Sequence, residues 1–174
     1  SPTPPSSPEK TSPTATTSFD TDAVRVINWD DLMPEDFEPA EPFKNIDIAQ
    51  LSDNDPRAQE MLTKLRALWD DAPVVSALDG VRIRLPGFAV PLETDGQIAT
   101  RFLLVPYMGA CIHVPPPPLN QTVLVEAPEG AQIRRVFDPV WVTGRMTVRR
   151  TNTELANAGY TLTATEVRPY YRRR

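Results

Sequence analysis

Hydrophobic and polar residues change rhythm three times along the chain, and each change marks a segment. Residues 1–18, SPTPPSSPEKTSPTATTS, contain 15 Ser, Thr or Pro. A stretch with so little to bury is expected to be disordered or polyproline-like. It reads equally as a tether to a surface and as an ordinary flexible terminus. Residues 24–48 are mixed: AVRVINW suggests a short strand, and WDDLMPEDF suggests a helical turn stopped at Pro34. Trp29, Leu32, Met33 and Phe37 are expected to pin an acidic strap onto a folded domain, the alternative being an acidic metal-collecting loop.

The clearest helix is expected over residues 56–71. Asp55 suits the N-cap, and Pro56 suits the first turn, where a missing N–H costs nothing. Ala58, Met61, Leu62, Leu65, Leu68 and Trp69 follow at helical spacing and form one apolar stripe that should face a core. Pro73 ends the run.

Beyond Pro73 the period drops to two, the rhythm of a strand. Val81, Ile83 and Leu85 alternate with Arg82 and Arg84. Pro86-Gly87 is expected to break this strand with a bulge or sharp bend, after which residues 88–92 resume it. Residues 93–96, ETDG, signal a turn. Further strands are expected over 98–105, 122–127, 140–148 and 160–167. PEG at 128–130 should be a turn, Gly144 a bend, and residues 152–158 a short helix. Five strands with a bent first member suggest a mainly β fold. The expected form is a small, partly closed barrel of the oligonucleotide/oligosaccharide-binding type, with the amphipathic helix packed on it. A β-sandwich is the alternative. The expected organisation is a tail over 1–20, an acidic strap over 21–54, the helix-plus-barrel domain over 55–170 and a basic tail over 171–174.

Composition adjusts this picture. Twenty prolines against 7 glycines, with 40% apolar residues, suit a modest folded unit flanked by extended segments. Residues 1–60 carry 13 acidic and 4 basic side chains, a balance of −9, and residues 61–174 carry 10 acidic and 14 basic, a balance of +4. The acidic half argues against a general nucleic-acid binder. No run approaches the length of a transmembrane helix, and no signal-peptide pattern is present. Ser1 opens the sequence without a methionine, so a trimmed form with a targeting segment upstream is expected.

Candidate chemistry concentrates in PYMGACIHVPPPPLN, residues 106–120, which holds the single cysteine, Cys111, and the single histidine, His113. In an extended chain, residues two apart face the same side, which would pair thiol and imidazole. Pro115 to Pro118 would brace the pair, and Gly109 would allow a tight turn before it. Three readings follow. Cys111 and His113 are ligands of zinc or copper, with carboxylates such as Glu126 or Asp138, water or a second chain completing the set. Or Cys111 is a thiol activated by the imidazole. Or Cys111 packs as a small hydrophobe and His113 is a hydrogen-bonded structural residue. Elsewhere, the aromatic and basic end, Arg168 and Tyr170 to Arg174, could contact anionic lipid or nucleic acid, or could be a frayed terminus. Gly-rich phosphate loops, serine nucleophile elbows and paired zinc-binding histidines do not occur.

Several of these stretches resemble a known family. LDGVRIRLPGFAVPLE (78–93), FLLVPYMGACIHVPPPPLNQ (102–121), PVWVTGRM (139–146), AGYTLTATEVRPY (158–170) and the upstream WDDLMP (29–34) are similar to the bacterial domain-of-unknown-function family three-two-nine-nine. The resemblance covers about residues 28–170. The family's Gly-Ala-Cys-Ile-His run maps onto residues 109–113 without departure. The resemblance implies an exported protein or lipoprotein of Gram-negative bacteria. Some members are encoded beside ABC-transporter components and induced under zinc limitation. It implies no established activity and no ligand set.

The expectation is therefore a non-enzymatic periplasmic accessory or binding protein. It would serve zinc or other transition-metal homeostasis, or an ABC transport system, with Cys111 and His113 as metal ligands. Its partners would be ABC-transporter components or another periplasmic protein, not nucleic acid, and an upstream segment could anchor it in the membrane. The alternatives are an interaction scaffold with a structural Cys-His pair and, third, a thiol-dependent enzyme.

Overall fold

Ile83 and Leu85 turn fully inward while Arg82 and Arg84 stay partly exposed, as strict alternation requires of a half-buried strand. In the computed structural model, which describes residues 23–37, 55–112 and 116–171, this strand is β2, Arg82–Asp95. The other elements are β1 (Arg25–Val26), helix α1 (Pro56–Asp70), β3 (Ile98–Val105), β4 (Val123–Gln132), β5 (Asp138–Asn152) and β6 (Asn157–Pro169). Short 3-10 turns occupy Trp29–Leu32, Ser76–Leu78 and Leu119–Gln121.

The strands run β2-β3-β4-β6-β5, and β5 pairs back onto β2 from Arg82↔Arg145 to Ala89↔Asp138. The result is a closed five-stranded barrel in which β4 and β6 are parallel and the other neighbours antiparallel. The five-stranded barrel expectation is borne out, with closure complete and no sandwich. Closure removes most of the edges that strands would otherwise expose. β1 adds to β2 in parallel through Arg25↔Ile83 and Val26↔Arg84.

The barrel interior is filled by Leu85, Phe102, Leu104, Val125, Met146, Tyr160 and Leu162, all fully buried. Full burial of a large apolar side chain contributes about 1.5–3 kcal/mol. The N-terminal segment shares this core: Ile27 is 4% exposed and Leu32 is 0% exposed. Its 3-10 turn is capped by Asn28, whose side chain accepts from the Asp31 N–H while the Asp31 carboxylate accepts from the Asn28 N–H. Residues 25–32 are thus anchored to the barrel core. The rest of the strap beyond residue 37 and the tail over 1–20 lie outside the described residues.

Three local expectations are corrected. β2 passes through Pro86-Gly87 unbroken, with Pro86↔Trp141 and Gly87↔Val140 in register, and its irregularity falls at 91–94. A Cβ at Gly87 would lie 2.8 Å from Leu104 Cγ and 2.9 Å from Trp29 Cζ2, so this glycine admits two packed side chains and does not bend the strand. PEG at 128–130 lies inside β4. Between Ala99↔Ala131 and Arg101↔Glu126 the register slips, so the segment bulges instead of ending the strand. Residues 153–156 form a tight hairpin loop, not a helix: the Thr153 hydroxyl accepts from the N–H groups of Leu155 and Ala156. The Gly144 irregularity is present, as a register shift after Thr143, where a Cβ would collide with the Thr163 backbone.

Helix α1 begins as expected, with the Asp55 carboxylate accepting from the Arg57 N–H at 2.9 Å. Within its stripe Leu65 is buried, Ala58, Met61 and Trp69 are half-buried, and Leu62 and Leu68 are exposed. Among the described residues no helix is long and apolar enough to cross a membrane.

Candidate functional site

β3 carries two apolar faces because its side chains alternate. Phe102 and Leu104 point into the barrel, while Leu103 and Val105 join Val90, Leu124, Phe137 and Ala158 in a second cluster. The segment after β3 contributes to this second cluster. Ala110 is fully buried in it, and Cys111 packs half-buried against it.

This placement revises the expected site. Cys111 has φ 72°, in the left-handed region, and lies in a turn closed by Ile112 N–H donating to Gly109 C=O at 3.3 Å. The extended geometry that would put thiol and imidazole on one face is therefore absent at Cys111. Such a φ is uncommon for a residue with a Cβ and is sustained by the burial around it. His113, Val114 and Pro115 lie outside the described residues.

Burial pushes the Cys111 thiol up to about 11. Tyr107 beside it is raised too, by burial first and then by the charge of Cys111. At neutral pH Cys111 is accordingly a protonated thiol, whereas the thiolate is the nucleophile and metal ligand. Among the described residues no group of three or more His, Cys, Asp or Glu could hold a metal ion. Glu126 is exposed on β4, opposite Arg101. Asp138 accepts from the Arg134 N–H at 3.0 Å and stands 4.0 Å from the Arg135 guanidinium. The described residues thus do not complete a zinc or copper site around Cys111.

A different constellation forms where β2, β5 and the end of β6 meet. The register places Trp141 on β5 between Pro86 of β2 and Arg168 of β6. The Arg84 guanidinium lies 4.6 Å from the centre of the Trp141 ring, a cation–π contact, and its buried Nε has no hydrogen-bond partner. Trp141 stacks with Tyr170 at 5.5 Å and 24°, and Tyr171 meets Tyr170 edge-on at 4.9 Å. Tyr170 is held there by its N–H, which donates to Pro139 C=O at 2.9 Å.

Two hollows flank this ladder and share Pro139. One, of about 200 Å³, is lined by Trp29, Pro86, Phe88, Pro106, Pro139 and Tyr170. The other, of about 350 Å³, includes Gln132, Arg134, Arg135, Asp138 and Tyr171 in its walls. The first is aromatic and proline-rich, and the second sets Arg134, Arg135 and Asp138 against apolar walls from Pro139, Val140, Val167 and Pro169. Trp29 is fixed in the first by its indole N–H, which donates to Pro86 C=O at 2.7 Å. From Pro106 the chain leads directly to Tyr107 and Met108, which are 40% and 64% exposed, while Tyr170 and Tyr171 are 43% and 69% exposed.

The sequence singled out Arg168, Tyr170 and Tyr171 as an aromatic and basic end. It missed Trp29, Arg84 and Trp141 as their neighbours. The missed signal is the VWV triplet at 140–142: Val140 and Val142 face the core, so Trp141 must face outward.

Fold and surface together define a small closed β-barrel module with an aromatic, basic face. The chain belongs to the family described as "Protein of unknown function (DUF3299)", whose profile matches residues 29–169. The crystal structure of a DUF3299 family protein from Pseudomonas aeruginosa PAO1 is similar at 39% identity and a TM-score of 0.68, covering 87% of this chain and 99% of that one. An OBody bound to hen egg-white lysozyme matches at 13% identity and a TM-score of 0.35, over 57% of this chain and 90% of that one, too distant to carry any inference. A search of functionally curated proteins finds no match.

Proposed function

We propose that this chain is a non-enzymatic binding module that docks a partner protein through the face built on Arg84, Trp141, Tyr170 and Tyr171. The observation that carries this reading is the composition of that face. Trp, Tyr, Phe, Met and Arg are the residue types enriched in protein–protein interfaces. Here Trp29, Phe88 and Tyr170 line one hollow beside the ladder of Arg84, Trp141 and Tyr171. Contiguous apolar surface of this kind marks an interaction site, whereas single exposed hydrophobes do not.

In this reading Cys111 is structural: with Ala110, it closes the segment after β3 over the second apolar cluster. The resemblance noted in the sequence supports a periplasmic setting, where an ABC-transporter component or another envelope protein would be the partner. Transition-metal handling through Cys111 and His113 is the competing reading; among the described residues no group of three or more potential ligands forms around Cys111.

The test is in-cell photo-crosslinking. A photoreactive amino acid replaces Tyr171 in one variant and the exposed Lys64 of α1 in another. A discrete protein adduct from position 171, absent from position 64 and lost on Trp141→Ala, supports the docking face. Equal labelling at both positions, or none at 171, overturns it.

A further inference from the structure

Resting on that docking reading, we propose that the partner presents an extended, proline-rich segment bearing acidic residues. Its prolines would seat in the aromatic hollow and its carboxylates against Arg134 and Arg135 in the other. Three features of the face point to this chemistry.

The first hollow offers few polar groups. Trp29, Phe88 and Tyr170 line it together with Pro86, Pro106 and Pro139. The one indole N–H at its edge is already spent on Pro86 C=O. Such a wall recognises shape and apolar rings. Polyproline II segments suit it because their backbone is fixed before binding, so little entropy is lost on docking.

The second hollow has apolar walls from Pro139, Val140, Val167 and Pro169, with its charge confined to Arg134, Arg135 and Asp138. Arg134 and Arg135 are exposed at its rim. The single carboxylate in its walls, Asp138, is engaged by the Arg134 backbone and faces Arg135 only at 4.0 Å. Two guanidinium groups against one engaged carboxylate leave a site complementary to anions. Three further arginines follow Tyr171 in the sequence.

The two hollows are adjacent. They share Pro139, and Tyr170 and Tyr171 stand one on each side. A ligand filling both must change from apolar to anionic within a few residues. A proline run followed by glutamates or aspartates has that pattern. Single-stranded nucleic acid also combines flat rings with negative charge, but it spaces a phosphate at every ring. Here Arg134 and Arg135 lie in one hollow, and the Arg84 guanidinium is already engaged over the Trp141 ring.

The experiment titrates the full chain with a fluorescent peptide of six prolines followed by three glutamates and reads polarisation. Saturable binding is expected. It should weaken by about tenfold on Tyr170→Ala and again on Arg134→Glu with Arg135→Glu. Those arginines are exposed, and unchanged melting verifies that the variants fold. A peptide with glycines for the prolines, or lysines for the glutamates, should bind at least about tenfold more weakly. Equal binding of the glycine peptide overturns the proposal, because charge alone would then suffice. Tighter binding of oligo-deoxythymidine, sensitive to Tyr170→Ala, overturns it in favour of nucleic acid. Tighter binding of a peptide of residues 1–22 overturns it in favour of the chain's own tail. A crosslink at position 171 without proline-peptide binding would leave the docking face standing and remove only this partner chemistry.

Discussion

The hydroxyl of the fully buried Tyr160 donates to Leu32 C=O at 2.7 Å and accepts from Val75 N–H at 2.8 Å. One side chain from β6 thereby fastens the N-terminal turn and the segment before β2 to the same core. Burial raises the phenol above its ordinary range, and the hydrogen bond from Val75 opposes that shift. Replacing Tyr160 by Phe keeps the ring but strands a carbonyl and an N–H in the interior. The expected loss is about 2–6 kcal/mol, since each of the two unsatisfied buried groups costs about 1–3 kcal/mol. Urea unfolding measures it, and a loss below about 0.5 kcal/mol, within the range of surface changes, would show that the two groups find other partners.

Gly87 sets the packing of Trp29. Gly87→Ala would force a methyl against Leu104 and the Trp29 indole, and overpacking of this kind costs about 1–3 kcal/mol. In a Trp29→Ala background the same change should cost distinctly less, because one of the two obstacles is gone. Additive losses in the double-mutant cycle would mean that Trp29 does not rest on Gly87.

Cys111 makes an alkaline signature. Its thiol is protonated in the folded chain up to about 11, whereas an unfolded cysteine ionises near the ordinary value. Between those values the unfolded state has lost a proton that the folded state keeps. Stability is therefore full below pH of about 8.5 and falls as pH rises toward the folded value. Cys111→Ala should flatten that part of the melting-temperature profile; the burial that raises the phenols of Tyr107 and Tyr160 persists in both proteins, while the Cys111 contribution to Tyr107 is lost with the thiol. Alkylation of the native chain at pH 7 should run slower than that of free cysteine. Alkylation faster than free cysteine would reveal an activated thiol.

Metal addition separates the two readings of the Cys111 segment. Saturating Zn²⁺, or Cu⁺ under reducing conditions, should leave the melting temperature of the parent and of Cys111→Ser alike. A ligand that prefers the folded state at a hundredfold excess over its Kd would stabilise by about 2.7 kcal/mol. A rise of several degrees in the parent that Cys111→Ser abolishes would restore the metal site.

The barrel was legible because its strands carry period-two alternation, as in 81–85 and 160–165, and because turn residues separate them. Helix α1 was legible from Asp55, Pro56 and the apolar spacing that follows. What sequence reasoning misplaced were features decided by neighbours distant in the chain. Pro86-Gly87 looked like a break, but Gly87 is small because Trp29 and Leu104 press on it. PEG looked like a turn, but β3 continues opposite it and converts it to a bulge. Cys111 looked extended because prolines follow it, yet the buried cluster under Ala110 holds it in a left-handed turn. The docking face could not be assembled from spacing at all. Arg84, Trp141 and Tyr170 meet only because β5 pairs with both β2 and β6.

Hydroxyl-radical footprinting in intact cells, set against the purified chain, tests the docking face most directly. Trp141, Tyr170 and Tyr171 should be protected in cells relative to the purified protein, while Leu62 and Leu68 on α1 should label equally in both. Equal labelling of the three face residues in cells and in isolation would contradict a partner at this face.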